Sequence, residues 1–464
     1  MKNRLHISLL LIGTLLLFAC TEKKSTPAEI ATPEEDAKRK PNVILIMADD
    51  LGYETLGTYG SASYKTPVLD RLAETGVRFD NAHAQPLCTP TRVSLMTGKY
   101  NWRNWHSFGI LKPDEKTFGH WMSAAGYRTC ISGKWQLQSY NPPDFLPEYR
   151  GKGQRVEDAG FDEYFLWHAE HTEDKGSRYP DPTINDNGTY LTDTNEKYGP
   201  DLYVDYINDF IERNQDKPFF VYYPMALTHA PFQPTPDSPE WPDQRRSQDG
   251  RFFHDMVEYM DKLVGRIETK VNELGLAEDT VIIFYGDNGS PRHVYSKMKD
   301  GSTVNGGKGL NNLRGTHVPL IVSWPGNSAS GHVVDDLVDC NDLLPTIFEA
   351  CGLSLPEGEI FDGESVLPQI QGKPGTHRDW LFIHHDPLPG TGKEGRVLAR
   401  WAFDKRWKLS EQSGNLYDLI ADPEETSPID SSRAGPEAKA AKEKLQKVID
   451  SMGMEYTPWV WPMN

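Results

Sequence analysis

The chain is 464 residues long, 38% hydrophobic and 25% charged, with a formal net charge of -18 at pH 7. That length and apolar content support packed domains and exclude a disordered polymer. No basic patch points to nucleic acid, and an acidic body repels polyanions at long range, so an anionic ligand has to be held by cations close to its site.

Met1-Lys2-Asn3-Arg4 precede an apolar run from Ile7 to Ala19 that is short for a membrane span and ends in Leu17-Phe18-Ala19-Cys20. Residues 1–19 therefore read as an export signal. The lipobox-like ending makes Cys20 a candidate lipid anchor, with an ordinary signal peptide cut nearby as the other reading. An exported lipoprotein held on a membrane at the periplasm or cell surface is expected. Residues 20–40 are mostly Lys, Glu, Thr, Ala and Pro with almost nothing to bury, a flexible tether.

Between 41 and 375, short apolar runs alternate with amphipathic stretches, the pattern of an α/β fold with a mainly parallel central sheet flanked by helices. The runs are Val43 to Ala48, Tyr127 to Ser132, Phe219 to Met225, Thr280 to Tyr285 and Val318 to Trp324. Thr66-Pro67 should open a helix, with Thr66 as its cap and Gly76 as its stop. A longer helix is expected from Arg251 to Leu274, where Met256, Met260, Leu263, Ile267 and Val271 recur at helical spacing. The stretch from Asn141 to Pro200, rich in Pro, Gly, Asp and aromatics, reads as an irregular insertion near the mouth of a site. From 376 to 464, short strands at Trp380 to His384, Val397 to Phe403 and Arg406 to Leu409, then a helix from Pro436 to Met452, indicate a smaller C-terminal α+β subdomain with a small antiparallel sheet.

In open parallel sheets, reactive groups collect beyond the carboxyl ends of the strands. Asp49 and Asp50 follow the first run, Lys134 the second, His229 the third, and Asp287 with Asn288 the fourth. Asp49, Asp50, Asp287 and Asn288 offer hard oxygens, which suit Ca²⁺ or Mg²⁺ and do not suit zinc. A helix cap or a turn explains each pair alone equally well. Their convergence from distant parts of the chain favours a metal. Cys88 precedes a helix with Thr89 as expected cap, Pro90 in the first turn and Gly98 as stop, so residue 88 falls at the positive end of a helix. An unmodified cysteine there is a nucleophile or a redox thiol. Of the other cysteines, Cys130 reads as core, while Cys340 and Cys351 flank a helical segment and are compatible with buried thiols or a disulfide.

Cys88-x-Pro90-x-Arg92, continued as Ser94-Leu95-Met96-Thr97-Gly98-Lys99-Tyr100, resembles the signature of the formylglycine-dependent sulfatases of the alkaline phosphatase superfamily. The likeness extends to Asn42 through Gly52, Gly133-Lys134-Trp135, Thr228-His229-Ala230-Pro231, Gly286-Asp287-Asn288-Gly289, Gly306-Gly307-Lys308-Gly309 and Leu416-Tyr417-Asp418-Leu419, and covers about Pro41 to Glu425. The resemblance implies that a maturation enzyme converts Cys88 to formylglycine, whose hydrate is a geminal diol on one calcium ion. One hydroxyl attacks sulfur, the alcohol leaves, and the second hydroxyl expels sulfate. Arg92 would orient the diol, Lys134 and Lys308 would bind the ester oxygens, and His229 with Lys308 would assist departure of the alcohol. The expected substrate is a sulfated carbohydrate.

Where the family usually reads Gly-Lys-Trp-His-Leu-Gly, this chain has Gln136 in place of the histidine, and an amide donates and accepts hydrogen bonds without acting as a base. The loop from Gly309 to Gly315 lacks the acidic residue common in the family and carries Arg314. Further candidate substrate contacts are Arg103 and His106 after the catalytic helix and His168, His171 and Arg178 in the insertion, since cations pair with sulfate or carboxylate groups. Two other functions share parts of this pattern. One is a phosphodiesterase or phosphonate monoester hydrolase on the same framework. The other is a glycan-binding lipoprotein without catalysis, suggested by Gln136 and opposed by intact Cys88, Arg92, Lys134, His229 and Lys308.

Overall fold

The computed structural model describes residues 39–139, 150–168, 176–375, 377–387 and 398–453. The export signal, Cys20, the tether up to residue 38 and His171 lie outside the described residues. Among the described residues, no helix is long and apolar enough to cross a membrane.

In chain order the strands are β1 (Asn42–Ala48), β2 (Val77–His83), β3 (Arg128–Lys134), β4 (Glu163–Trp167), β5 (Ile184–Asp186), β6 (Thr189–Tyr190), β7 (Phe219–Pro224) and β8 (Thr280–Gly286). They continue as β9 (Tyr295–Lys297), β10 (Thr303–Asn305), β11 (Leu320–Ser323), β12 (His332–Asp339), β13 (Leu381–His385), β14 (Ala399–Phe403), β15 (Trp407–Ser410) and β16 (Leu416–Asp418). The main sheet has the order β12-β2-β11-β8-β1-β7-β3-β4-β5-β6. From β8 across β1, β7 and β3 to β4 all neighbours are parallel, whereas β11 runs against both β8 and β2.

The sheet is covered on both faces, and its central strands are accordingly apolar along most of their length. In β1, Val43, Leu45 and Met47 enter one core and Ile44, Ile46 and Ala48 the other, as the two-residue period of a strand requires. The second core is closed by the Phe252–Glu273 helix, whose Met256, Met260, Leu263 and Ile267 are fully buried. The first core takes Val93, Leu95 and Met96 from the Cys88–Thr97 helix and Ile347 and Phe348 from the Leu343–Ala350 helix.

Several local expectations are corrected. Thr66 stands at the cap position of the Pro67–Thr75 helix, but its hydroxyl accepts from Gly57 N–H at 2.9 Å. The free N–H groups of Val68 and Leu69 are instead taken by Asp261 at 3.0 and 2.8 Å, a cap lent by the Phe252–Glu273 helix. The catalytic helix begins at Cys88 with Leu87 as cap residue, two residues earlier than a Thr89 cap implies. The 141–200 insertion is only partly irregular: it supplies β4, β5 and β6 to the main sheet. Of the two readings open for Cys340 and Cys351, buried thiols is the one found, since both are free and buried. β2 and β12 carry charged residues among their apolar ones because they lie at and next to the sheet edge, which is why no apolar run marks them.

β13 to β16 form a four-stranded antiparallel sheet. One face packs Phe382, Ala402 and Leu409 on Leu445, Val448 and Ile449 of the Pro436–Ser451 helix. The other packs Leu381, Ile383, Trp401 and Phe403 on Leu337 of β12.

Candidate active site

β1 and β8 are parallel neighbours with Ala48 opposite Gly286, so the residues that leave them, Asp49-Asp50 and Asp287-Asn288, emerge side by side. Asp50 adopts a left-handed φ of 61°, which aspartate tolerates better than most residues. Its N–H donates to Asp287 Oδ1 at 2.9 Å, and Asn288 Nδ2 donates to Asp50 Oδ1 at 2.9 Å. Asp49 Oδ1, Asp287 Oδ2 and Asn288 Oδ1 are left buried without a hydrogen-bond partner. Three desolvated acceptors with no donor are costly unless a cation meets them. Ligand atoms of Asp49, Cys88 and Asp287 lie within 4.8 Å of one another. Burial first, then repulsion from Asp49, Cys88 and Asp50, pushes the Asp287 carboxyl well above the usual range, a conflict that a hard divalent cation removes. The residues present fit such an ion.

Cys88, 6% exposed, is the first residue of its helix. Thr91 Oγ1 donates to the Asp287 carbonyl at 2.6 Å and so ties the helix start to the acidic loop. Lys134, at the end of β3, donates to Asp49 Oδ2 at 2.6 Å and lies 3.7 Å from Cys88 Sγ. Burial alone would raise the Asp49 carboxyl; Lys134, His229 and Lys308 outweigh it and hold Asp49 below the usual range. Arg92 is buried and donates to the Lys134 carbonyl at 2.6 Å, while its Nε and second terminal nitrogen have no partner.

Lys308 donates to Asp50 Oδ2 at 2.6 Å. Burial opposes its charge, but Asp50, Cys88 and Asp49 raise the ammonium above the usual lysine range. The loop that follows is held from behind by the C-terminal sheet. Lys408 of β15 donates to the Asn311 carbonyl and to Glu425, and Glu425 Oε1 accepts from Leu313 N–H at 2.9 Å. His229 follows β7. Its Nδ1 lies 2.6 Å from the Ala230 carbonyl, which makes Nδ1 the donor and leaves Nε2, 3.8 Å from Asp50 Oδ2, with the lone pair of the neutral ring. Burial, against the pull of Asp50 and Asp49, pushes this imidazole down to about 4.

A cavity of about 150 Å³ opens on this cluster, lined by Cys88, Lys134, His229 and Lys308 and also by Phe108, Gly109, Gln136 and Arg178. Gln136 has a left-handed φ of 45° just beyond β3. The Arg178 guanidinium sits over the Trp167 ring, 4.1 Å from its centroid. The remaining sequence candidates do not line the cavity. Arg103 pairs with Asp362 at 2.8 Å and Arg314 with Glu424 at 2.8 Å, partners that sequence order does not reveal. His106 is buried at 3% exposure, and the His168 ring lies 6.3 Å from that of Tyr190. Phe108 and Gly109 were not picked out by the sequence, since neither carries a chemical signature.

Known proteins resemble this chain. Residues 41–353 match the family model described as sulfatase, and residues 312–452 match one described as N-sulphoglucosamine sulphohydrolase, C-terminal. The chain is 31% identical to arylsulfatase A of Homo sapiens over 461 residues, covering 88% of this chain and 87% of that one. It is 32% identical to N-acetylgalactosamine-6-sulfatase of Homo sapiens over 408 residues, covering 81% and 74%. A protein solved in complex with its substrate D-glucosamine-2-N,6-O-disulfate has a TM-score of 0.70 at 19% identity, covering 89% of this chain and 98% of that one, a likeness of fold. The chain belongs to the sulfatase family, sulfuric ester hydrolases of the alkaline phosphatase superfamily.

Proposed function

We propose that this sulfatase acts on sulfate esters of carbohydrates, with Cys88 matured to formylglycine and a calcium ion held by Asp49, Asp50, Asp287, Asn288 and residue 88. The observation that carries the reading is the set of three buried, unpartnered oxygens, on Asp49, Asp287 and Asn288, beside residue 88 at a helix start. When present, the hydrated aldehyde supplies the attacking oxygen and the ion offsets charge on the sulfuryl oxygens. The other steps fall to the chain's own residues. Lys134 and Lys308 hold the ester oxygens, Arg92 fixes residue 88 against β3, and His229 with Lys308 serves the departing alcohol. The carbohydrate assignment is supported by the N-acetylgalactosamine-6-sulfatase relatives. Export and attachment through Cys20, and dependence on a formylglycine-generating enzyme, belong to the same proposal. Their support is the sequence of residues 1–20 and of the Cys88 motif.

The test combines three measurements on protein co-produced with a formylglycine-generating enzyme: peptide mass at residue 88, metal content, and sulfate release from a panel of sulfated saccharides with aryl phosphate as control. An aldehyde at 88, about one calcium per chain and loss of activity on chelation are expected. Full activity with an unmodified thiol, or without calcium, would overturn the proposal.

A further inference from the structure

We propose that Arg178 binds a second anionic group of the substrate, so that the preferred saccharide carries, besides the sulfate ester that is cleaved, another sulfate or a carboxylate on the same or the adjoining sugar. This rests on the sulfatase reading of the site and adds to it the chemical class of substrate.

Three cationic side chains line the cavity, Lys134, Lys308 and Arg178. The first two are already engaged at 2.6 Å by Asp49 and Asp50. Arg178 has no carboxylate partner among the described residues, and one of its terminal nitrogens is fully buried with no hydrogen bond. Counting charge leads to the same residue. Three carboxylates are matched by Lys134, Lys308 and Arg92, and a divalent ion is matched by a singly charged ester and an ionised nucleophile at residue 88. Arg178 is left over, a partly buried cation without a counter-charge.

Its guanidinium, stacked over the Trp167 ring, stands on the β4 side of the cavity, beyond Lys134 as counted from β1 and β8. Trp167, the ring beneath the guanidinium, ends β4 opposite Lys134 of β3, three strands from β1. The backbone that carries Arg178 is also held in place. Gly199 lies so close to the Arg178 carbonyl that a Cβ there would come within 2.2 Å of it. The hydroxyl of the next residue, Tyr179, sits between the carbonyls of Ala226 and His229 and ties this loop to the His229 segment. A guanidinium stacked on a ring keeps its in-plane N–H groups for a planar or tetrahedral oxyanion. On a chain of charge -18 such a local cation is what a polyanionic ligand needs.

The test uses disaccharides that share the cleaved ester and differ in one group: none, a second sulfate, or a carboxylate in its place. Matured wild type should favour a doubly anionic substrate at least about ten-fold in kcat/KM, and the sulfate and carboxylate arms tell which anion is read. R178Q should lower that preference by about ten- to a hundred-fold, the effect of losing a charge-assisted bidentate contact, and R178K should restore part of it. Calorimetric binding to C88S, with and without R178Q, should show the same differential without turnover. No preference in wild type, or an equal loss on all three substrates in R178Q, would overturn the role of Arg178. Absence of sulfate release from every substrate would instead defeat the sulfatase reading, and the calorimetric comparison would still decide for or against Arg178.

Discussion

Asp49, Asp50, Lys134 and Asp287 stand at strand ends, are at most 2% exposed, and hold one another through bonds of 2.6 to 2.9 Å, whereas Gln136, Phe108, Gly109 and Arg178 stand on connecting segments around the same cavity. The reactive side is fixed by the register of β1 against β8 and cannot change without disturbing the sheet. The recognition side can change residue by residue, because loops tolerate substitution that strands do not. Chemistry and specificity are thus assigned to different kinds of backbone.

The hardest way to break this division is Lys308→Ala, which removes a cation from the ester and leaves Asp50 Oδ2 short of its donor. Sulfate release should fall by about 10² to 10³ in kcat/KM, by the same factor on singly and doubly anionic saccharides. A loss confined to one of them would move Lys308 to the recognition side. Gln136 tests the boundary itself. Gln136→Ala should cost about 1.5 to 3 kcal/mol if the amide bonds to the ionised nucleophile, and Gln136→His should fold normally and alter sulfate expulsion more than the first attack. A burst experiment with an aryl sulfate separates the two steps, and identical kinetics for all three proteins would place Gln136 outside the chemistry.

The smallest effect concerns acid stability at the recognition side. Trp105 Nε1 donates to the Asp386 carbonyl at 2.7 Å, and Trp105 packs edge-on against Phe108 of the cavity wall. The neighbouring His385 is buried, and burial pushes its imidazole down to about 4. Its folded value lies below the unfolded one of about 6.5, so the unfolded chain takes the proton first. The stabilisation is complete above about pH 6.5 and is lost as pH falls toward 4, about 1 to 2 kcal/mol by pH 5. Thermal melts at pH 7 and 5 should show a drop that H385Q diminishes. Equal acid losses in both proteins would assign the effect to other groups.

The same contrast governs what the sequence made legible. β1, β3, β7 and β8 are apolar runs because both of their faces are covered, and the polar residues that follow them led directly to the reactive cluster. β2 and β12 were missed because strands at and next to the sheet edge mix charge into their pattern, and β4 to β6 because short strands inside a Gly- and Pro-rich stretch carry no period. Among cations, chain position did not separate Arg178, which faces the cavity, from Arg103 and Arg314, which are neutralised by Asp362 and Glu424. Which arginine keeps its charge free is a tertiary fact. The lent cap of Asp261 is another of the same kind.

The strut from Lys408 and Glu425 to the loop after Lys308 spans 97 and 112 residues of sequence. Loop closure over such distances comes late in folding, after local elements have formed. A chain ending ahead of Lys408 would still contain every strand of the ten-stranded sheet, yet its 310–313 turn would lose the contacts that anchor it. The reactive lysine is therefore completed by residues about a hundred positions further along the chain, so a product truncated between them can be globular and still inert.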